Sequence, residues 1–270
     1  MRKRMVLGVL AVLVFGLLLV FRQEISKKLS FSSVAEKEET LILSELPARE
    51  KEPEPKQGPV KISSVTNEKP KISSYSGRDP AEIRPIAEEV KLFTEDQKRQ
   101  LYATLEMHGR AVKADPSYFN GWIQVGLLKK TIGDFVGARD AWEYAGVIQP
   151  LNSTSFANLG ELYWHYLQDY LKAEENFKIS IKNKPTDPLT YISLAELYHY
   201  SYTAKADLAD DVLLEGLKEN SEAEGLMRRL AYLYEQRKEN AEALAWWQKV
   251  LTLEPDDQSV IQSIERLKNK

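Results

Sequence analysis

The stretch from Trp122 to Pro150, WIQVGLLKKTIGDFVGARDAWEYAGVIQP, decides the fold of this chain. Gly126 lies midway along its first half, where a small side chain lets a second helix approach closely. Ala138 supplies the matching gap in the second half, and Trp142 follows one turn later to fill the space beside it. Proline cannot continue an α-helix, so Pro150 marks the end of the second helix. The stretch therefore predicts two helices packed as a hairpin.

The same pattern recurs along the chain with a period of about 34 residues. Pro116, Pro150 and Pro185 follow one another at this spacing. The interval from Pro185 to Pro255 is twice as long, and it divides into two repeats if Ser221 takes the place of a missing proline. The positions that recur are the small residues of the first helices, the alanines of the second helices, and the large residues one turn later: Gly126, Gly160, Ala195 and Ala231; Ala138, Ala173, Ala209 and Ala243; Trp142, Phe177, Leu213 and Trp247.

These residues resemble the tetratricopeptide repeat family, whose repeats follow this order of large, small and aromatic residues and end in proline. The resemblance covers residues 94–268 and implies an all-α fold, a right-handed superhelical stack of about four helical hairpins. Thr94–Pro116 is interpreted as a half-repeat that opens the stack, and Asp256–Lys268 as a helix that closes it. The second repeat carries one extra residue in its turn and the third carries two, so these hairpins depart from the family pattern.

Composition and charge exclude several classes of function. Residues 93–270 carry twenty-one Lys and Arg against twenty-seven Asp and Glu. An acidic domain is poorly matched to phosphate backbones, so no nucleic acid partner is expected. The absence of cysteine excludes disulfides and thiolate sites. With three histidines and no nucleophile elbow or phosphate loop, we predict no enzyme, no cofactor and no small-molecule substrate.

The N-terminus predicts a membrane anchor. Met1-Arg2-Lys3-Arg4 precedes an apolar run of seventeen residues from Met5 to Phe21, about 25 Å long as a helix. Residues 1–22 are therefore expected to form a single transmembrane helix. A cleaved signal peptide is the alternative, although Arg22-Gln23-Glu24 fits a cleavage site poorly. Because positive charge flanks the run on both sides, orientation stays open, with the repeat domain expected outside the cytoplasm.

The region between the anchor and the repeats has the composition of a linker. Residues 23–78 are rich in Pro, Glu, Lys and Ser, and such a segment cannot bury enough apolar surface to offset its ordering entropy. A flexible chain of this length spans roughly 40 Å. Asp79-Pro80-Ala81-Glu82 predicts the start of a helix, because it carries a capping residue, a first-turn proline and a glutamate three positions after the cap. The repeat domain is accordingly predicted to comprise residues 79–270.

The resemblance also implies where a partner would bind. In the family, the first helices of successive repeats line a concave groove that takes an extended or helical peptide. The residues that occupy the corresponding positions are Asn120, Ile123, Leu127 and Lys130 in the first repeat; Ala157, Glu161, Trp164 and His165 in the second; Ile192, Glu196, His199 and Tyr200 in the third; and Arg228, Tyr232 and Glu235 in the fourth.

Two pairs within this predicted groove also raise the question of a metal. Glu161 and His165 are spaced i,i+4, and Glu196 and His199 are spaced i,i+3, so each pair can share a helix face. The repeat itself dictates the recurring Glu-Leu-Tyr sequence in both helices, and His165 is one residue out of phase with His199. No metal site is therefore predicted.

These observations lead to one functional prediction and two alternatives. The chain is expected to be a membrane-tethered scaffold that binds a protein or peptide partner in the groove, in assembly or regulation of a cell-envelope complex. The first alternative is a structural or self-associating spacer without a peptide groove. The second is a secreted repeat protein, released by cleavage of a signal peptide.

Overall fold

Each of the predicted stop positions lies two residues beyond the end of a helix. A computed structural model describes residues 74–269, and Pro116, Pro150, Pro185, Ser221 and Pro255 follow the ends of five of its helices. The helices are α1 (Ala87–Val90), α2 (Glu95–Ala114), α3 (Phe119–Thr131), α4 (Phe135–Ile148), α5 (Ser153–Leu162), α6 (Tyr170–Asn183), α7 (Pro188–Glu196), α8 (Ala209–Glu219), α9 (Glu224–Gln236), α10 (Asn240–Leu253) and α11 (Gln258–Lys268).

Side-chain caps set where many of these helices begin. Thr94 and Gln97 form a reciprocal capping box at the start of α2, as the sequence indicates. Asp134, Asn152 and Asp187 each accept a backbone hydrogen bond at the start of α4, α5 and α7. These caps satisfy N–H groups that have no partner within the helix, so the turns between helices are fixed locally.

The helices of the described region pair in chain order as four hairpins: α3–α4, α5–α6, α7–α8 and α9–α10. The packing rule predicted from Gly126 is confirmed, because the Trp142 indole lies directly over this glycine and donates to the Ile123 carbonyl at 3.1 Å. Phe177 covers Gly160 in the same way. Helix α2 precedes the hairpins and α11 follows them, as the half-repeat and closing helix were predicted to do. The described part of the chain is entirely helical and turn structure, without strands.

The extra residues of the second and third repeats are taken up as π-helical turns at the ends of their first helices. Tyr163–Leu167 continues α5 as one such turn and Leu197–Ser201 continues α7 as another. The first ends at Gln168, which has a φ of 53°. After the second, Thr203–Leu208 forms a 3₁₀ segment before α8. A π-turn widens the helix and rotates the side chains that follow, so both turns change what the first helices present.

Residues 75–86, which we call the strap, cross the first hairpin before α1. The helix start predicted at Asp79 is wrong, since the strap contains turns and irregular backbone and no helix. The Tyr75 ring lies 4.4 Å from the Trp122 ring centroid and 5.3 Å from that of Tyr144. Arg78 donates a 2.7 Å hydrogen bond to Asp134, the residue that caps α4. Residues 75–78 belong to the predicted linker, yet they pack on the repeats. The predicted boundary at residue 79 itself stays a prediction.

A buried ion pair lies beneath the strap. Lys129 and Asp134 are 2.9 Å apart, and neither side chain has exposed area. Lys129 also donates to the Glu82 carbonyl of the strap at 3.0 Å, while Asp134 accepts from the Gly137 N–H and from Arg78. A buried pair is tolerated only when its remaining hydrogen-bonding groups are satisfied, and here the strap satisfies two of them.

The predicted transmembrane helix, residues 1–22, and the predicted linker up to residue 73 lie outside the described residues. Within residues 74–269, no helix combines the length and apolar character needed to cross a bilayer.

Candidate functional site

The two π-turns bring the central residues of the predicted groove to one region of the array. They end α5 and α7, the first helices of two successive hairpins. Helix α9, the next first helix, packs against α7. The side chains of this region, which we call the π-turn face, are Glu161, His165 and Tyr166 from the second repeat, Glu196, His199 and Tyr200 from the third, and Arg229 and Tyr232 from the fourth.

Trp164 is part of the packing beneath this face and not a surface residue of the groove. Its side chain is 8% exposed, and its indole N–H donates a 2.8 Å hydrogen bond to Ser201 Oγ. The indole also meets the Phe177 ring edge-on at 6.5 Å. Trp164 was predicted to line the groove, but the π-turn rotates its side chain toward α6 and the next π-turn, because the turn is wider than an α-helical one.

His165 stays at the surface, where the prediction placed it. Its Nε2 lies 3.2 Å from a Glu161 carboxylate oxygen, and its ring stacks on Trp164 with centroids 3.9 Å apart. Both side chains are partly exposed. The buried Trp164 ring therefore supports the imidazole from below, which leaves its other face for a ligand.

An ion pair lies one repeat further on. Arg229 pairs with Glu196 across α9 and α7. The Arg229 guanidinium also lies 5.3 Å from the Tyr200 ring centroid and 5.5 Å from that of Tyr232. We call these three side chains, Tyr200, Arg229 and Tyr232, the tyrosine–arginine stack. The two tyrosines are 51% and 41% exposed, and with Tyr166, which is 42% exposed, they form the apolar surface of the π-turn face.

Burial shapes the ionisation of two groups in the site. It raises the pKa of Glu196, against the attraction of Arg229, and Glu161 raises it further. Burial lowers the pKa of His199, and the positive charges of Arg229 and Arg237 lower it further. Arg229 therefore opposes the rise in the pKa of Glu196 and adds to the fall in the pKa of His199.

The predicted groove residues of the first repeat are only partly available. Ile123 is packed between the two apolar clusters of the core. Asn120 and Leu127 are exposed, and the Lys130 ammonium lies 5.7 Å from the Tyr166 ring centroid. This end of the predicted groove therefore connects to the π-turn face through Tyr166.

At the other end, two predicted groove residues are tied to the closing helix. Arg228 pairs with Glu224 and with Asp257, the cap of α11. Glu235 accepts from the Trp247 indole and from Arg266 of α11, both at 2.7 Å. Their position beside α11 follows from the closing helix packing against the fourth hairpin. Two further predicted residues, Ala157 and Ile192, are half-buried.

The sequence prediction missed Arg229 and Tyr166. Arg229 follows the predicted Arg228 by one position, which is a rotation of about 100° around the helix. A helical-wheel alignment of α9 on α7 could have found it, because Arg229 must face the preceding first helix to reach Glu196. Tyr166 could not have been placed without knowing that it lies within a π-turn.

Among residues 74–269, no three His, Asp or Glu side chains come together in a way that could hold a metal ion. Glu161 and His165 pair with each other, and Glu196 pairs with Arg229. The geometry instead provides aromatic rings, paired charges and hydrogen-bonding groups at a surface, which suits recognition of a polypeptide.

Solved structures share this arrangement of hairpins. The crystal structure of MamA matches with a TM-score of 0.50 and 16% sequence identity, covering 66% of this chain and 99% of that one. A tetratricopeptide repeat protein from Parabacteroides merdae matches with a TM-score of 0.50 and 18% identity, covering 67% of this chain and 71% of that one. The C-terminal part of a TPR repeat-containing protein from Cytophaga hutchinsonii matches with a TM-score of 0.50 and 22% identity, covering 63% and 69%.

No protein-family model and no curated protein sequence matches the chain. Identities this low establish the fold alone. The class defined by the four hairpins and by these neighbours is the helical repeat protein. More particularly, the described part of the chain has the tetratricopeptide-repeat fold.

Proposed function

We propose that the chain is a membrane-tethered scaffold whose tetratricopeptide-repeat array binds a segment of another protein across the π-turn face. The observation that carries this proposal is the tyrosine–arginine stack. Two successive first helices contribute its three side chains, and both rings remain about half exposed. Tyrosine and arginine are enriched among the residues that dominate binding energy at protein interfaces.

The layout of the face indicates the form of the bound segment. His165, Tyr200 and Tyr232 come from three successive first helices, and packed helices lie roughly 8–10 Å apart. A segment that crosses all three would span about 20 Å, which corresponds to roughly six residues of extended chain or about thirteen residues of helix. A short linear segment is long enough to contact the whole π-turn face.

The charges of the face indicate the character of that segment. Glu196 is paired with Arg229, and Glu161 lies beside His165, so both carboxylates of the face already have partners within it. A partner therefore needs apolar or aromatic side chains for the two tyrosines, and polar groups that hydrogen-bond to the paired residues at the edges. The stack would supply affinity and the ion pairs would supply selectivity.

The tether and the location rest on the N-terminal sequence. The apolar run Met5–Phe21 supports a single transmembrane helix, and the polar linker supports a flexible connection that lets the array search about 40 Å from the bilayer. In this proposal the array faces the extracytoplasmic side, forms a right-handed superhelix, and acts in assembly or regulation of a cell-envelope complex. Cleavage of the N-terminal segment would instead release it as a secreted protein.

The test is comparative capture of partners from solubilised membranes with the full chain as bait. Tyr200→Ala/Tyr232→Ala removes both rings of the stack from exposed positions. Leu171→Ala is the matched control, since Leu171 is 65% exposed on the second helix α6. A partner bound by wild type and by the control, but lost from the double variant, supports the proposal. Equal recovery by all three would contradict it.

A second measurement separates loss of binding from loss of folding. Helical content and urea denaturation of the double variant should match those of the control. Light scattering on residues 68–270, which contain the compact unit, tests the alternative of a self-associating spacer. A monomer disfavours that alternative, whereas a dimer disrupted by the double variant would support it.

A further inference from the structure

A separate cleft lies where the strap meets the turn between α3 and α4. Its volume is about 430 Å³, within the range of about 300–1,000 Å³ that is usual for ligand pockets. Its lining includes Ile86 of the strap, Phe135 and Val136 at the start of α4, and Leu167 of the first π-turn, and we call these apolar side chains the floor. It also includes Arg78 and Arg84, which we call the rim. We call the cleft as a whole the strap cleft. It is lined by none of the residues of the π-turn face.

The walls of the strap cleft are held in place by the fold. The Ile86 N–H donates a 2.7 Å hydrogen bond to the Ile132 carbonyl, which fixes the strap to the turn. Gly133 has a φ of 85°, a conformation that favours glycine, and Ile86 packs directly over it. Phe135 is held by Tyr166, with ring centroids 4.5 Å apart. The cleft is therefore formed before any ligand arrives.

The lining of the cleft combines an apolar floor with positive charge at the rim. Ile86 is 46% exposed, and it is contiguous with Phe135, Val136 and Leu167. Single exposed apolar side chains are ordinary, but a concave group of them next to fixed polar groups is typical of a binding site. Arg78 and Arg84 supply those polar groups.

The two arginines differ in how firmly they are held. Arg78 is anchored to Asp134, the carboxylate of the lining, whose side chain is fully buried and also bound by Lys129. Asp134 thus presents no charge to a ligand. Arg84 pairs with Glu82 at the surface, where both side chains are more than a third exposed. An exposed pair of this kind contributes little free energy, so an incoming carboxylate can replace Glu82.

We propose that the strap cleft binds a second kind of partner segment, one in which an apolar side chain is followed by acidic residues. The apolar side chain contacts Ile86, Phe135 and Leu167, and the carboxylates meet Arg84 and Arg78. Charge complementarity selects this occupant, because the lining holds two arginines, Arg78 and Arg84, against one carboxylate, the buried Asp134. The π-turn face and the strap cleft are then two adjacent sites on the array that share no lining residue.

The test uses a fluorescein-labelled peptide, Gly-Ser-Leu-Phe-Asp-Glu-Ser-Gly, and a counterpart with Asn-Gln in place of Asp-Glu. Binding to the detergent-solubilised full chain is measured by fluorescence anisotropy. The acidic peptide should bind about tenfold more tightly than its counterpart, because charge-assisted hydrogen bonds to arginine are lost in the amide form. Equal affinities for the two peptides, or no saturable binding of either, would overturn the proposal.

Two variants and a control locate the binding. Arg84→Glu reverses a rim charge and should lower the affinity for the acidic peptide by about tenfold or more. Val136→Asp places a carboxylate on the floor and should weaken both peptides. Arg110→Glu, a charge reversal at an exposed pair with Glu106 on α2, should leave affinity within about twofold. An Arg110→Glu effect as large as that of Arg84→Glu, or an unchanged Val136→Asp, would place the binding elsewhere and overturn the proposal. Tyr200→Ala/Tyr232→Ala should leave the affinity for the acidic peptide unchanged.

Discussion

The Trp164 indole and the Ser201 hydroxyl are joined by a 2.8 Å hydrogen bond that connects the two π-turns. Trp164 lies in the turn after α5 and Ser201 in the turn after α7. The residues on either side of this bond, His165 and Tyr200, belong to the π-turn face. The bond therefore fixes the positions of surface side chains in two successive repeats through a contact buried beneath them.

Loss of this hydrogen bond should destabilise the array by a measurable amount. Ser201→Ala leaves the buried indole N–H without its acceptor, so we expect the free energy of unfolding to fall by about 1–2 kcal/mol. Urea denaturation of residues 68–270 gives the value. Ser193→Ala, a half-exposed serine on α7, is the control and should change it by less than about 0.5 kcal/mol. A Ser201→Ala variant as stable as wild type would show that water or another group replaces the acceptor.

A pair of glycine substitutions separates packing from helix propensity. Gly126→Ala places a methyl group inside the Trp142 indole, so we expect the free energy of unfolding to fall by about 2 kcal/mol or more. Gly225→Ala lies in α9 at an exposed position where the nearest atom, Ile192 Cδ1, is 3.5 Å from the new Cβ. There the higher helix propensity of alanine should stabilise the array by about 0.5 kcal/mol. Thermal and urea unfolding measure the change in stability of both variants. If both substitutions stabilise the array, or both destabilise it, the explanation by packing at Gly126 and helix propensity at Gly225 is contradicted.

The Glu174 carboxylate should make stability depend on pH in the acid range. Burial alone would raise the pKa of Glu174, but hydrogen bonds from Lys178, Lys205 and Tyr198 outweigh it and lower this pKa to about 2. A folded-state pKa below the unfolded value contributes stability above about pH 4.5, and that contribution is lost as pH falls toward 2. At neutral pH it amounts to roughly 3 kcal/mol.

Glu174→Gln tests this expectation. The variant should be less stable than wild type at pH 7, and the difference should shrink as the pH is lowered from about 4.5 to about 2. Glu175→Gln, at the exposed neighbouring position, is the control and should follow the wild-type pH profile. Parallel profiles for Glu174→Gln and wild type would mean that the lowered pKa is absent in solution.

Removal of the strap aromatic should weaken the first hairpin. Tyr75→Ala takes away the ring that packs on Trp122 and Tyr144, and we expect a loss of about 2 kcal/mol in the free energy of unfolding. Tyr118→Ala removes a tyrosine that is 41% exposed and should cost less than about 1 kcal/mol. Equal effects of the two substitutions, measured by urea denaturation, would indicate that the strap contributes nothing beyond surface contact.

Contacts within one repeat could be predicted from the sequence, whereas contacts between distant segments could not. The helices, their pairing and their ends could be predicted because each depends on residues within one repeat that recur in phase. Trp142 over Gly126 is a contact between the two helices of a single hairpin, and the recurring pattern predicts it. The sequence predicted which helices carry the candidate site, but only some of its residues. A single inserted residue rotates every side chain that follows it in the helix.

The sequence by itself determined the class of fold: the repeat period, the small and large residues that interlock, and the stops just beyond five helix ends. Only the tertiary structure decided that Trp164 is buried, that Arg229 pairs with Glu196, and that the strap closes the first hairpin. Arg78 and Asp134 are 56 residues apart in sequence, and neither a period nor a helix face connects them. Contacts of that kind depend on the path of an irregular segment, which no repeating pattern encodes. The burial of Trp164 depends in turn on a π-turn that takes up the extra residue of its repeat.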